Sequence, residues 1–294
     1  MSWCNDLHEI CRAQVPLAPL TWFGLGGPAR WLVEPRSESE LSTVLHRSAE
    51  SGVPVRFLGL GANLLVPDEG VDAAVIRLNG PVFRRIIPAD SSIEAGAGAH
   101  LTTLVRTAVH GGLAGLEALA GIPGTVGGGI RMNCGGRHGE IASAVESVRV
   151  ISSQGRLRDC PADALRFRYR ACELGGERVV SARFHLERAD RGLVLERFRE
   201  IWREKSRSQP ALREKSAGCI FKNPPGGASA GRLIDESGLK GARMGGAEVS
   251  DRHANFIVAH TGARTADVLA LVERIEERVF IRTGVRLERE VEVW

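Results

Sequence analysis

The chain has 294 residues, 43% of them hydrophobic and 25% charged, and a formal net charge of +4. That is ample apolar material for two or three compact units with real cores, and the charge content is ordinary for a soluble globular protein. The arginines that carry the charge are spread out rather than blocked, and one tyrosine with few other rings gives no stacking surface. Both features argue against a nucleic-acid partner and suit an enzyme for a multiply anionic substrate.

The six cysteines form no C-x-x-C pair and no regular spacing, which argues against a metal site or a disulfide framework and for a reducing compartment. No apolar run approaches the ~20 residues needed to cross a bilayer. The N-terminal stretch from Met1 to Glu9 lacks the basic-then-apolar layout of a signal peptide, so a cytoplasmic protein is expected.

In chain order, Ser37 to Glu40 reads as a capping box in which Glu40 reaches back to Ser37. Leu41, Val44, Leu45 and Ala49 then share one helical face, and Gly52 supplies a left-handed stop. Val53 to Leu58 reads as a buried strand and Ala74 to Leu78 as a second, with a β-rich stretch after Gly80-Pro81. A helix is expected from about 100 to 109, closed by Gly111-Gly112, and strands near 145–152 and 179–186. Val194, Phe198, Ile201 and Trp202 make a helical stripe over about 193–206, and Val268, Leu271, Val272, Ile275 and Val279 another over about 265–282. Leu287 to Trp294 alternates like a strand with Glu288, Glu290 and Glu292 on one face. These elements suggest units at 1–80, 81–190 and 191–294.

Two glycine loops stand out. Gly59-Leu60-Gly61-Ala62-Asn63-Leu64 follows a strand, and Gly121-Ile122-Pro123-Gly124-Thr125-Val126-Gly127-Gly128-Gly129 precedes Asn133. Glycine loses the most backbone entropy on folding, so such clusters are costly unless the backbone has a task, commonly to bring amide N–H groups close to a phosphate. Neither loop is the usual dinucleotide fingerprint, because Gly59-Leu60-Gly61 lacks the third glycine and runs into an apolar stretch ended by Pro67 rather than a helix. Taken singly, the first is also compatible with an ordinary turn and the second with a tight β connection. Together they favour a two-phosphate nucleotide cofactor.

Further along, Gly218 precedes Cys219, and Lys222-Asn223 offer ammonium and amide donors to an anion. Cys219 is readable either as a presented functional group or as a small buried hydrophobe. Arg168-Tyr169-Arg170 and the terminal glutamates are equally compatible with a solvated surface.

Taken in order, these segments resemble the UDP-N-acetylenolpyruvoylglucosamine reductase family in its shorter form, over about residues 20–292. Thr21 to Ala29, the two glycine loops, Phe167 to Arg170, Ala217 to Pro224, Gly231 to Asp235, Ser250 to Phe256 and Leu287 to Val291 are each similar to a family motif. The resemblance implies an α+β chain: a two-subdomain FAD-binding fold of the vanillyl-alcohol-oxidase type, followed by an α+β substrate-binding domain. It implies non-covalent FAD on Gly59, Leu60, Gly61, Ala62, Asn63, Leu64, Ile122, Pro123, Gly124, Thr125, Gly128 and Asn133, and NADPH as co-substrate. It implies hydride delivery to C3 of an enolpyruvyl UDP-sugar and protonation at C2, with Arg170, Cys219 and Glu290 catalytic and Tyr169, Lys222 and Asn223 on the substrate. No metal, nucleic acid or membrane is implied, and no oligomeric state.

Three departures matter. Cys219 stands where the family has serine, and a thiol, titrating near ~8.5, is the easier proton donor. Ser208 stands where lysine is common, leaving Lys205 or Arg207 for a phosphate. Arg137-His138 replaces a more usual Tyr-Gly pair. A sugar or lactone oxidase of the same flavin fold would share the glycine loops but not the later signatures, and a flavin-binding regulator would have no need of Arg170, Cys219 and Glu290 together.

Overall fold

Four expected helices form where the apolar periodicity places them. A computed structural model describes residues 7–211 and 213–294; the residues before Leu7, on which the signal-peptide reading mainly rests, lie outside this range. Helix α1 (Glu38–Glu50) starts at Ser37, whose Oγ accepts the Glu40 N–H at 3.1 Å, and Gly52 follows it at φ +64°. The capping box is not reciprocal. The Glu40 carboxylate instead accepts the Arg36 N–H at 2.7 Å and pairs with the Arg36 guanidinium, which holds its pKa below the ordinary range. Helix α2 (Leu101–His110) buries Leu101, Leu104, Val105, Ala108 and Val109.

Contacts divide the chain into two units, each discontinuous in sequence. The first is built from 1–13, 31–59 and 73–205, the second from 14–30, 60–72 and 206–294. The position near 80 suggested as a boundary falls inside the first unit, and that near 190 falls just before a helix that stays with the first unit through Lys205.

Strands Cys11–Pro16, Pro28–Val33, Val71–Ile76 and Val55–Phe57 form a sheet in that order. The expected buried strand at 53–58 is only three residues long and exposes Arg56, because Val55–Phe57 pairs as an outer strand, parallel to Val71–Ile76. A helical turn, Pro81–Arg84, opens the stretch after Gly80. An antiparallel five-stranded sheet then runs Leu157–Pro161, Val145–Ile151, Arg178–His185, Ser92–Gly96, Ile86–Pro88. Its apolar face, with Ile93, Val148, Val150, Ala182 and Phe184, packs in one cluster with α2 and the short helix α3 (Val126–Arg131). Burying each such side chain contributes about 1.5–3 kcal/mol. Helix α4 (Arg191–Ser208) buries Val194 and Ile201, while Trp202 stacks on Phe198 with centroids 6.3 Å apart and stays exposed.

In the second unit, α5 (Ala230–Glu236) and α6 (Thr265–Thr283) pack with a three-stranded antiparallel sheet, Arg243–Met244, Ala247–Val249 and Ile257–Ala259. The five expected inward residues of α6 are all buried, and Gly284 ends it at φ +72°. Asp68 caps its start, accepting the Thr265 and Ala266 N–H groups at 2.8 and 3.1 Å, where a carboxylate favours the helix dipole. The terminal alternation is not one strand. Arg289 bridges Phe221, and only Glu292–Val293 pairs as a strand, parallel to Leu64–Leu65.

Candidate functional site

Within the first unit, Gly59, which opens the first glycine loop, packs against the second loop. A Cβ on Gly59 would stand 2.6 Å from Thr125 Oγ1, so the strand end can lie against the second loop only as glycine. The second loop runs along 97–101: Val126 N–H donates to Ala99 O, Gly127 N–H to Ala97 O, and Leu101 N–H to Gly124 O. Gly127 and Gly129 are small for packing, since added Cβ atoms would meet Ala97 Cβ at 2.9 Å and Cys134 Sγ at 3.0 Å. Gly124 and Gly128 have room beside them, their nearest atoms being Leu101 Cδ1 at 3.6 Å and the Thr125 hydroxyl at 3.5 Å, to which the Gly128 N–H also donates.

Asn133, expected among the cofactor contacts, is buried with φ +39°. Its Nδ2 donates to Glu140 Oε2 at 2.7 Å and to the Arg168 carbonyl at 3.0 Å, while Oδ1 accepts the Ala142 N–H. The side chain thus fixes the strand that carries Tyr169 and Arg170. Those two residues form the tip of the hairpin Arg166–Arg168/Ala171–Glu173. Arg170 has φ +56°, a conformation that costs a non-glycine residue about 1 kcal/mol or more, and its Nε and Nη1 are shielded from solvent. Its guanidinium lies 5.0 Å from the Tyr169 ring centre. Nearby, burial pushes the Cys134 thiol up to about 12, so that thiol is inert. Lys205, one of two candidates for a phosphate, donates instead to the Ala120 carbonyl at 2.7 Å.

The second unit brings Cys219 and Glu290 onto adjacent backbone. The Glu290 N–H donates to Ile220 O at 2.7 Å, directly after Cys219. Asn63 of the first glycine loop holds the other side of the same segment: its Nδ2 donates to Glu290 O at 3.0 Å, and its carbonyl accepts the Glu292 N–H. The Cys219 segment, which bridges Phe256, is fixed by Asn255, a residue whose role sequence reasoning does not assign. Asn255 Nδ2 donates to Phe221 O at 2.7 Å, and its Oδ1 accepts the Phe221 N–H at 2.9 Å. Only the resemblance around Ser250–Phe256 marks it in the sequence. Cys219 itself is half-buried and follows Gly218 at φ +75°. The Ser216 hydroxyl, three residues earlier, is buried with no hydrogen-bond partner among the described residues.

Lys222 is paired to Glu288 Oε1 at 2.5 Å, and its N–H donates to Glu288 O. Asn223 Oδ1 accepts the Ala230 N–H at 3.0 Å, which fixes the amide and turns its NH₂ away from α5. Leu60, Gly61, Ala62 and Leu64 lie in this unit too; Gly61, at φ +63°, packs a backbone turn against Leu20 O. Among the described residues no cluster of His, Cys, Asp or Glu could hold a metal ion, and no helix is long and apolar enough to cross a membrane.

Residues 29–161 match the FAD binding domain family, and residues 209–294 match the C-terminal domain family of UDP-N-acetylenolpyruvoylglucosamine reductase. UDP-N-acetylenolpyruvoylglucosamine reductase 2 of Symbiobacterium thermophilum is 44% identical over 99% of this chain and 94% of its own length. The reductase of Thermus thermophilus is 46% identical over 96% of this chain and 98% of its own. The crystal structure of the corresponding enzyme from Thermus caldophilus superposes with a TM-score of 0.84 at 43% identity, covering 97% of this chain and 99% of that one.

Proposed function

Since the chain belongs to the UDP-N-acetylenolpyruvoylglucosamine reductase family and is an FAD-binding oxidoreductase of that type, we propose that it makes UDP-N-acetylmuramate. The substrate would be UDP-N-acetylglucosamine enolpyruvate, the reductant NADPH, and the setting cytoplasmic peptidoglycan precursor synthesis. The first unit fits the cofactor: Gly59 packs closely on Thr125 and so fixes the second loop, while Gly124 and Gly128 keep clear space along it. These loops would hold FAD non-covalently, and when bound it would supply the two-electron redox chemistry between the nicotinamide and C3 of the enolpyruvyl group.

The residues of the chain handle charge and proton. Adding hydride to C3 leaves negative charge on C2 and the adjoining carboxylate, and the Arg170 guanidinium opposes it with a permanent positive charge. Holding Arg170 at positive φ through the Asn133–Arg168 bond avoids reorganisation at the moment of reaction. Cys219 gives its Sγ proton to C2, completing the saturated product, and the thiolate is reprotonated from solvent. Glu290, fixed by Ile220 and Asn63, orients the carboxylate end and steadies the enolate-like charge. Lys222 and Asn223 would meet the diphosphate, Lys222 by exchanging Glu288 for a phosphate oxygen, and Tyr169 would cover the substrate.

The observation that carries this reading is the Glu290 N–H to Ile220 O bond, which ties the segments of two proposed catalytic side chains together. Stopped-flow traces of flavin absorbance test it. Cys219→Ala should be reduced by NADPH at the wild-type rate but reoxidised by the enolpyruvyl substrate about 10²–10⁴ times more slowly, the usual cost of a lost general acid. Cys219→Ser should recover much of that rate. Equal reoxidation in wild type and Cys219→Ala would remove Cys219 from the chemistry.

A further inference from the structure

Residues Leu119 to Ile122 form a tight turn at the mouth of the second glycine loop. Ala120 sits at φ −49°, ψ 131°, Gly121 at φ +75°, and the Ile122 N–H donates to Leu119 O at 3.0 Å. These values define a type II turn. Its type I counterpart differs by turning the central Ala120–Gly121 peptide over, and glycine at the third position tolerates either form. Glycine there already leans toward type II, and a contact from outside the turn settles the choice.

Helix α4 makes that choice. Lys205 Nζ donates to the Ala120 carbonyl at 2.7 Å, and its Cδ and the Trp202 ring lie 3.4 and 3.6 Å from where a Gly121 Cβ would stand. The helix is fastened on both sides of this contact: Arg197 pairs with Glu117 at 3.1 Å, and Glu204 pairs with Arg137 and His138 of the 135–140 hairpin. The peptide is trans, so a carbonyl held toward α4 obliges the Gly121 N–H to point away from it.

We infer that Lys205 is a positioning residue of the cofactor loop: by holding the Ala120 carbonyl it selects the type II turn and keeps the Gly121 N–H aimed as a donor to a flavin diphosphate oxygen. The inference rests on the FAD-binding reading of the first unit. It gives Lys205 a task distinct from covering a phosphate directly. In the flipped turn a carbonyl oxygen would face the anion where the N–H had been, a repulsive exchange. Burial, only partly countered by Cys134 and reinforced by Arg170, brings Lys205 down to about 8. The other charged groups around it are Glu140 behind Cys134, the Glu204–Arg137–His138 set and the Arg197–Glu117 pair. The hold on Ala120 therefore weakens at mildly alkaline pH.

The test measures FAD dissociation from the full-length holoenzyme by recovery of free-flavin fluorescence, at pH 7 and 9. Lys205→Met should raise the dissociation constant by about tenfold, the loss of one amide bond to a charged oxygen. Lys205→Arg, which keeps a buried cationic donor that cannot titrate, should stay near wild type at pH 7 and lose less affinity than wild type between pH 7 and 9. Urea unfolding of the flavin-stripped chain should place Lys205→Met close to wild type at pH 7. Unchanged FAD affinity in Lys205→Met overturns the inference, as does an affinity loss that Lys205→Arg shares or that follows a matching loss of stability. A wild-type protein that binds no FAD would instead overturn the cofactor reading itself.

Discussion

Replacing Lys205 by methionine keeps the alkyl packing on Trp202 and Gly121 but removes the buried ammonium. The fall of Lys205 from 10.5 to about 8, from burial first, partly countered by Cys134 and deepened by Arg170, corresponds to a net cost of about 3 kcal/mol for the charged form at pH 7. Against this, the ammonium's bond to Ala120 offsets about 1.5–3 kcal/mol, and methionine leaves that carbonyl without this donor. The two effects nearly cancel, so the variant without flavin should lie within about 1 kcal/mol of wild type at pH 7. Between about 8 and 10.5 the unfolded chain still holds the lysine proton while the folded one has released it. Unfolding then takes up protons, and wild-type stability rises with pH through this window. Relative to Lys205→Met, wild type should gain about 2 kcal/mol on going from pH 7 to pH 9.5. Cys134 and Cys172, raised by burial to about 12 and about 11, act with the opposite sign above pH 9, because the unfolded thiols ionise first. The Cys172 effect is common to both proteins and drops out of the difference, whereas Cys134 faces Lys205 and rises further in the methionine variant, which adds to the wild-type gain above pH 9. Urea titrations at the two pH values give that difference directly, and parallel stability profiles would refute the buried-ammonium argument.

Three further outcomes follow from single contacts. Gly59→Ala drives a Cβ to 2.6 Å from Thr125 Oγ1 and should lower stability by about 1–3 kcal/mol together with flavin content; a fully yellow protein with an unchanged unfolding midpoint would show that the loops do not meet as described. Lys222→Ala should raise the Michaelis constant for the UDP-sugar or the nicotinamide while leaving the flavin spectrum intact, and unchanged constants for both would place Lys222 outside the site. Ser216→Ala removes a buried hydroxyl with no partner among the described residues and should stabilise the flavin-stripped chain by about 1 kcal/mol in thermal unfolding, whereas a loss of that size would mean the hydroxyl is satisfied.

What is legible in the sequence depends on how local its cause is. Helices α1, α2 and α6 can be bounded closely because apolar spacing, an N-cap serine and glycines at positive φ act within a few residues of each other. The strand at Val55–Phe57 reads as buried and is not, since the same short apolar run serves a central or an outer strand and pairing partners decide which. The terminal segment fails for a similar reason: its alternation is real, but Arg289 and Glu292–Val293 pair with different stretches, Phe221 and Leu64–Leu65.

The glycine loops show a finer limit. Sequence alone treats their glycines as one class, all shaped for a phosphate. The structure separates them by what a side chain would strike: Ala97 for Gly127, Cys134 and Leu101 for Gly129, the Leu20 backbone for Gly61, and near-open space for Gly128. A glycine forced by packing and a glycine kept clear for a ligand look identical in one sequence, because the deciding neighbour is distant along the chain.

The same reasoning explains why the holding residues are harder to read than those they hold. Asn63 reaches Glu290 across 227 residues, Lys205 reaches Ala120 across 85, and Asn255 reaches Phe221 across 34. Each uses a polar side chain to fix a backbone segment that carries, or lies beside, a proposed catalytic or ligand-facing group. An amide or ammonium directed at the main chain replaces a contact the segment cannot make within its own strand or turn. Removing such a group exposes a choice of backbone conformations while the reactive side chain stays present. Loss of Asn63, Asn255 or Lys205 should therefore show itself first in the geometry of Glu290, Phe221 or Gly121, before it shows in the chemistry of any side chain.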